Sequence, residues 1–324
     1  MMIGKMKKFL MLVLVFSVMG AIAKAQDRND VVTAYNEGAK AVKTDVKASV
    51  ESFEKVITLA DQVGETADEL KQKAKQILPG LYFKVAYNNL NEKKPAQEII
   101  QSAKEAIAAA DKYGSKSNKT NAEKVLVQGY NIMGGEYFAR EEYDNALATF
   151  DSLLSVNPDY SNAIFNKSLV YIKQNNPVAV EESIDLFIEK AKSSNDEARA
   201  NQAASTALEY FRAAGSQAAQ AEQLDEALSL LDKASKYGED KDVCYYYADV
   251  YNKQNNFDKG AEYAQKGLAM EAGDDEAKAK FYFQIGIAQE GKGQKDDACV
   301  SFKNSLYGPF ADASKAKRTN LKCQ

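Results

Sequence analysis

The 324-residue chain predicts an all-α fold of stacked helix pairs, and three observations carry that prediction. A framework of aromatic, small and apolar residues recurs along the chain with constant internal spacing. Five prolines and 18 glycines leave few turn residues for a sheet, while Ala, Lys, Glu and Gln dominate. The period-two alternation of a half-buried strand is scarcely present. The framework is most complete between Tyr130 and Pro158, as Tyr130, Met133-Gly134, Tyr137, Tyr143, Ala146, Phe150, Leu153-Leu154 and Pro158. Gly134 stands four residues after Tyr130, and Phe150 sixteen after Gly134. The same offsets return in Tyr282, Ile285-Gly286, Ala298, Phe302 and Leu306. Further copies run through Phe211, Gly215, Ala227 and Leu231, and through Tyr247-Ala248, Tyr251, Gly260 and Ala264.

Each copy reads as two short amphipathic helices joined by a tight turn. The large apolar residue and the small residue of the first helix share one face at i, i+3, i+4 spacing. Small residues (Gly134, Gly215, Ala248, Gly286, opposed by Ala146, Ala227, Gly260, Ala298) let the two helices approach, and Phe150 or Phe302 fills the gap. One pair cannot bury its apolar face alone, so neighbours must stack. At these residues the chain resembles the tetratricopeptide repeat, whose period is about 34 residues. The resemblance implies a helix-turn-helix repeat solenoid wound as a right-handed superhelix.

In chain order, residues 1–25 read as a signal peptide. Lys5, Lys7 and Lys8 form a basic start, Phe9 to Ile22 an apolar run, and Ala23-Lys24-Ala25 a small-x-small cleavage site. A membrane-spanning helix needs about 20 apolar residues, which this run does not reach. No Cys lies near the cleavage site to take a lipid. The expectation is an exported, periplasmic protein without an integral membrane span. Residues 26–118 read as degenerate helical repeats or an N-terminal cap: Gly38, Ser49, Phe53 and Ile57 suggest one irregular unit, and Leu81 to Leu90 with Pro95 to Ala110 another. Residues 119–310 carry the tetratricopeptide-like copies. Within them, 161–195 keeps Ser168 and Tyr171, and Asn175-Asn176-Pro177 is expected to lengthen the turn before a helix carrying Phe187. Residues 311–324 read as a C-terminal capping helix or tail, and its Lys315, Lys317, Arg318 and Lys322 as that helix's solvated face.

Chemistry is mostly excluded. The chain has no histidine, which removes Ser-His-Asp, Cys-His and His-bearing zinc arrangements. Cys244, Cys299 and Cys323 lack metal-ligand spacing. Cys244 falls on an apolar helix face as a packed thiol, whereas Cys299 and Cys323 could pair in an oxidising compartment and pin the terminal helix. No Gly-rich phosphate loop occurs. The acidic pairs Glu141-Glu142, Glu181-Glu182, Asp274-Asp275 and Asp296-Asp297 lie at turns or helix starts, where the helix dipole favours them. No enzyme and no cofactor is expected. Loss of the four leader lysines takes the formal charge from −4 to −8, and an acidic body without a basic patch makes a poor nucleic-acid ligand.

The resemblance implies that first helices line a concave groove, so residues there not needed for packing are the binding candidates. They are Asn131, Phe138, Phe165, Lys173, Arg212, Tyr245, Asp249 and Phe283. Aromatic anchors mixed with amides and charges suit a protein or peptide partner. Tyr245-Tyr246-Tyr247 either divides into core, boundary and groove positions, each turned by about 100°, or packs wholly between repeats. Family members that clamp a C-terminal carboxylate carry Lys and Asn, then Asn, then Lys and Arg; here Asn131 and Gly135, Asn166, then Glu209 and Ala213 stand there, and only Asn166 agrees. The expected function is a non-catalytic scaffold. The alternative is a glycan- or small-molecule-binding accessory of an outer-membrane uptake system, with Phe138, Phe283 and Tyr245 stacking on sugar rings.

Overall fold

A computed structural model describes residues 28–324, so the predicted signal peptide lies outside the described residues. The described chain is all-α, built from helix-turn-helix repeats, and falls into two compact units, up to Tyr160 and from Ser161 onward.

The N-terminal unit holds three helix pairs: α1 (Arg28–Ala41) with α2 (Val46–Val63), α3 (Asp68–Asn91) with α4 (Ala96–Lys112), and α5 (Lys116–Ala139) with α6 (Tyr143–Val156). The C-terminal unit holds four: α7 (Ser161–Lys173) with α8 (Pro177–Ser193), α9 (Glu197–Gln220) with α10 (Leu224–Tyr237), α11 (Lys241–Lys253) with α12 (Phe257–Met270), and α13 (Asp275–Gly291) with α14 (Lys295–Asn304). A 3-10 turn at Gly308–Phe310 and a terminal helix α15 (Ala311–Asn320) close it.

The framework residues meet as their spacing requires. An added Cβ at Gly134 would lie 2.5 Å from the Phe150 ring, and one at Gly286 2.7 Å from Phe302, so only glycine admits the aromatic. Phe150 and Phe302 are fully buried. The irregular first pair uses the same device: Phe53 is buried against Gly38, and Ser49 Oγ donates to the Gly38 carbonyl at 2.8 Å. Around Phe53, the side chains Val31, Val56, Leu78 and Leu81 form one buried cluster, and Ala86, Ile99, Ala103, Ala122 and Val125 form the next.

The turns inside six of the pairs are alike in a way that composition hides. Lys93, Glu141, Asn175, Glu222, Asn255 and Gly293 all have positive φ, between 51° and 75°. In each case the next amide donates back to the carbonyl five residues earlier, from Lys94 to Asn89 through to Gln294 to Gln289, at 2.8–3.0 Å. This is the left-handed helix stop, which closes orphan carbonyls at the end of the first helix. Three copies do so with Lys or Glu, at a conformational cost that glycine would avoid.

Two expectations need correction. Asn175-Asn176-Pro177 does not lengthen its turn: α7 and α8 are separated by the same three residues as the other regular pairs, and Pro177 is the first residue of α8, capped by Asn176. The residue sixteen after Ser168 is Ile184, fully buried, and Phe187 is buried one turn later. Nor does the helix dipole explain Glu181, which sits inside α8. It receives hydrogen bonds from Lys233 and Lys236 of α10, which hold its carboxyl below the usual range.

Candidate functional site

The first helices α9, α11 and α13 of the C-terminal unit present four of the eight candidates, Arg212, Tyr245, Asp249 and Phe283, side by side, because short turns return every second helix to the other layer. Their charged and amide groups form a ladder across that face. Arg212 on α9 donates to Asp240 at 2.9 Å and stands 3.6 Å from Asp242. Asp242 in turn accepts from Lys280 on α13, whose ammonium lies 5.8 Å over the Tyr245 ring and 5.0 Å over Phe281. One turn further along, Gln284 donates to Asp249 at 3.1 Å and accepts from Asn252 at 2.9 Å. Lys253 pairs with Asp249 at 2.8 Å. Arg212 is therefore compensated by the start of α11, and Asp249 by Lys253 on its own helix and Gln284 on the next, rather than offered bare.

The aromatic candidates sit beside this ladder. Tyr245 packs edge-on against Phe281 at 6.3 Å and against Phe310 at 6.4 Å. Burial, with Asp249 nearby, pushes its hydroxyl up to about 12. Phe283 lies 5.7 Å from Phe302 and 5.4 Å from Phe310. Of the three consecutive tyrosines, Tyr247 is core, stacked 4.5 Å from Tyr263, with its hydroxyl donating to Asp232 at 2.5 Å. Tyr246 is half-buried, its ring 5.2 Å from Tyr245. The Tyr247 hydroxyl is held above its ordinary range by burial and then by Asp232.

The remaining candidates do not join this cluster. Phe165 packs 5.0 Å from Phe187 within its own helix pair, and Lys173 lies exposed at the end of α7. Asn131 and Phe138 belong to the N-terminal unit. Phe138 rests 6.1 Å from Tyr143, and Asn131 has a buried Oδ1 with no hydrogen-bond partner among the described residues.

Two features escaped the sequence reading. Phe310, the last residue of the region read as tetratricopeptide-like copies, reaches the Tyr245–Phe283 cluster. The other is a cavity of about 310 Å³ in the N-terminal unit, lined by Lys43, Lys47, Lys84 and Lys94 with Asp45, Glu92, Asn88 and Asn89. Lysines from three separated segments thus gather beside Asp45 and Glu92, a juxtaposition that sequence spacing does not show. Lys84 is committed to the Val42 carbonyl at 2.9 Å and Lys94 to Glu92 at 3.4 Å.

The C-terminal basic residues are also engaged. Lys317 pairs with Glu290 at 2.6 Å, and Arg318 donates to the Cys299 carbonyl at 2.6 Å. Cys299 and Cys323 are joined by a disulfide across 24 residues, which ties the end of α15 to α14. Cys244 is a buried free thiol whose titration burial pushes up. Among the described residues no group of three or more acidic or Cys side chains clusters as a metal site, and no helix is long and apolar enough to cross a membrane.

No protein-family model matches the chain, and no curated protein matches it. Solved structures with a similar arrangement include MamA, 21% identical, covering 61% of this chain and 96% of its own at a TM-score of 0.36. A tetratricopeptide repeat protein from Parabacteroides merdae is 16% identical over 91% of this chain and 99% of its own, with a TM-score of 0.30. YrrB, described as a TPR protein with an unusual peptide-binding site, is 16% identical over 58% of this chain and 91% of its own, with a TM-score of 0.36.

Proposed function

We propose that the chain is a non-catalytic, exported scaffold that holds a protein or peptide partner on the face of its first helices in the C-terminal unit. The observation that carries this reading is the cluster of the partly exposed rings Tyr245, Phe283 and Phe310 beside a self-paired polar ladder. Such a face offers rigid aromatic contact area with its charges already compensated, the chemistry of anchor-led peptide recognition. Its ligand would be chosen by fit around the rings more than by charge. The disulfide between Cys299 and Cys323 supports an oxidising compartment, and hence the export that the leader suggests. Nothing in the ring environments favours the glycan alternative: Phe138 and Phe283 both lie against other aromatic side chains.

The test is peptide selection from a random library on the intact protein, followed by titration calorimetry. Selected peptides are expected to lose at least about tenfold in affinity with Ile287→Arg on α13, and nothing with Glu262→Arg on α12. Equal losses at both positions, or a library that yields no binder, would count against the scaffold reading. Stabilisation of the melting temperature by a glycan panel would instead favour the alternative.

A further inference from the structure

We infer that the segment Tyr307–Phe310 is a resident intramolecular ligand of this face, so that a partner must bring an aromatic side chain of its own to displace Phe310. The inference rests on the peptide-scaffold reading and names what that scaffold recognises.

Three observations converge on it. Phe310 does not pack within its own terminal helix; its ring contacts Phe283 on α13 at 5.4 Å and reaches Tyr245 on α11 at 6.4 Å. It therefore crosses one first helix to touch the next, as a bound peptide side chain would. The backbone that delivers it lies directly on α13. Gly308 has φ of 50°, which glycine adopts without cost, and a Cβ there would come within 2.6 Å of Glu276 Oε1 on α13. Pro309 follows and presets the 3-10 turn that aims the ring.

The third observation concerns what holds the segment down. Across the base of the segment, Ser305 before it and Ser314 after it bury their hydroxyls against one another at 2.7 Å. On its C-terminal side, α15 is fastened to α14 by the Cys299–Cys323 disulfide. The flanks of the segment are thus tied together and to α14, so Phe310 leaves its seat only if that anchoring is loosened or a competing ring enters. Phe310 is partly exposed, as are the Tyr245 and Phe283 rings it touches, so its seat is reachable from solvent. The chemistry of the competing partner follows from the occupant: an aromatic side chain carried just after a Gly-Pro turn, without need of a countercharge.

The deciding experiment uses the intact protein and a labelled peptide, LYGPFA, corresponding to Leu306–Ala311. Phe310→Ala is expected to bind this peptide at least about tenfold more tightly than wild type, and to lose that binding when the peptide's own Phe is replaced by Ala. If Phe310→Ala keeps its helical circular dichroism yet binds no better than wild type, the inference is overturned. Should that variant fail to fold, hydrogen exchange on Cys323→Ser decides. The Gly308 and Phe310 amides should exchange at least about tenfold faster than in the disulfide-bonded protein, with those of Phe281 and Phe302 unchanged. Unchanged or uniformly faster exchange would overturn the idea in that arm too. Library peptides that bind equally to wild type and Phe310→Ala would leave the scaffold standing and remove the resident segment. Binding of LYGPFA without any library binder would do the reverse.

Discussion

The two units join their first helices by different means on the same backbone plan. In the N-terminal unit, Ala86 on α3 and Ala122 and Val125 on α5 belong to one buried apolar cluster. In the C-terminal unit, α9, α11 and α13 are laced together by Arg212, Asp240, Asp242 and Lys280, then by Asp249, Asn252 and Gln284. Apolar contacts of that kind fix the seam by shape alone. A polar ladder makes a unit whose helices have a specified register, because each buried amide must find its own partner. The recognition proposed for the C-terminal unit depends on that register, since it holds Tyr245 and Phe283 at the distances Phe310 spans.

The largest expected effect asks whether the two units share one packing rule. Phe302→Ala and Phe53→Ala should each cost about 3–5 kcal/mol in urea unfolding, since both rings fill the gap opposite a small residue. A loss under about 1 kcal/mol at Phe53 would show that the first pair is a loose cap rather than a repeat.

Next comes the ladder. Gln284→Ala removes one hydrogen bond from each of Asp249 and Asn252, which keep Lys253 and the backbone carbonyl of residue 284, and should cost about 1 kcal/mol. Hydrogen exchange should place the loss in α11 and α13 and leave α3 to α5 unaffected; an even loss across both units would contradict the division of labour.

Alkaline titration separates the units without mutation. Burial holds the hydroxyls of Tyr237, Tyr245 and Tyr247 above their ordinary range in the C-terminal unit, against Tyr82 in the other. A phenol whose folded pKa is raised stabilises the fold fully below its unfolded value. That stability is lost as pH rises through the folded value, so for Tyr245 the window runs from about 10 to about 12. Phenolate absorbance and helix content should therefore change together in this window, with the C-terminal unit opening first. Ionisation that proceeds with helix content intact in both units would contradict the assignment.

The smallest effect lies in the turns. Glu222→Gly and Lys93→Gly remove a left-handed non-glycine residue and should each gain up to about 1 kcal/mol in thermal unfolding. A loss at either position would show that the side chain contributes something the turn geometry does not reveal.

These comparisons also show what the amino-acid sequence could disclose. Gly134 and Phe150, or Gly286 and Phe302, were legible because a close helix approach demands a small residue and a large one at a constant separation. The repeated turn was not, because Lys93, Glu141 and Glu222 adopt with cost a conformation that Gly293 adopts freely. The polar ladder was invisible because its partners come from successive repeats, as when Gln284 meets Asp249 35 residues away. Arg212 and Asp249 looked available for the same reason. Phe310 was missed because a lone aromatic before a terminal helix carries no framework spacing; only the fold brings it to Tyr245.

The most direct test of the account places a photo-crosslinking residue at position 287, on α13 beside Phe283, and at position 262, on α12, and irradiates whole cells. A discrete adduct from 287 that is absent from 262, and that vanishes with Tyr245→Ala in a protein of unchanged helix content, is the result expected of a first-helix binding face. Adducts of the same mass from both positions, or from 262 alone, would contradict it.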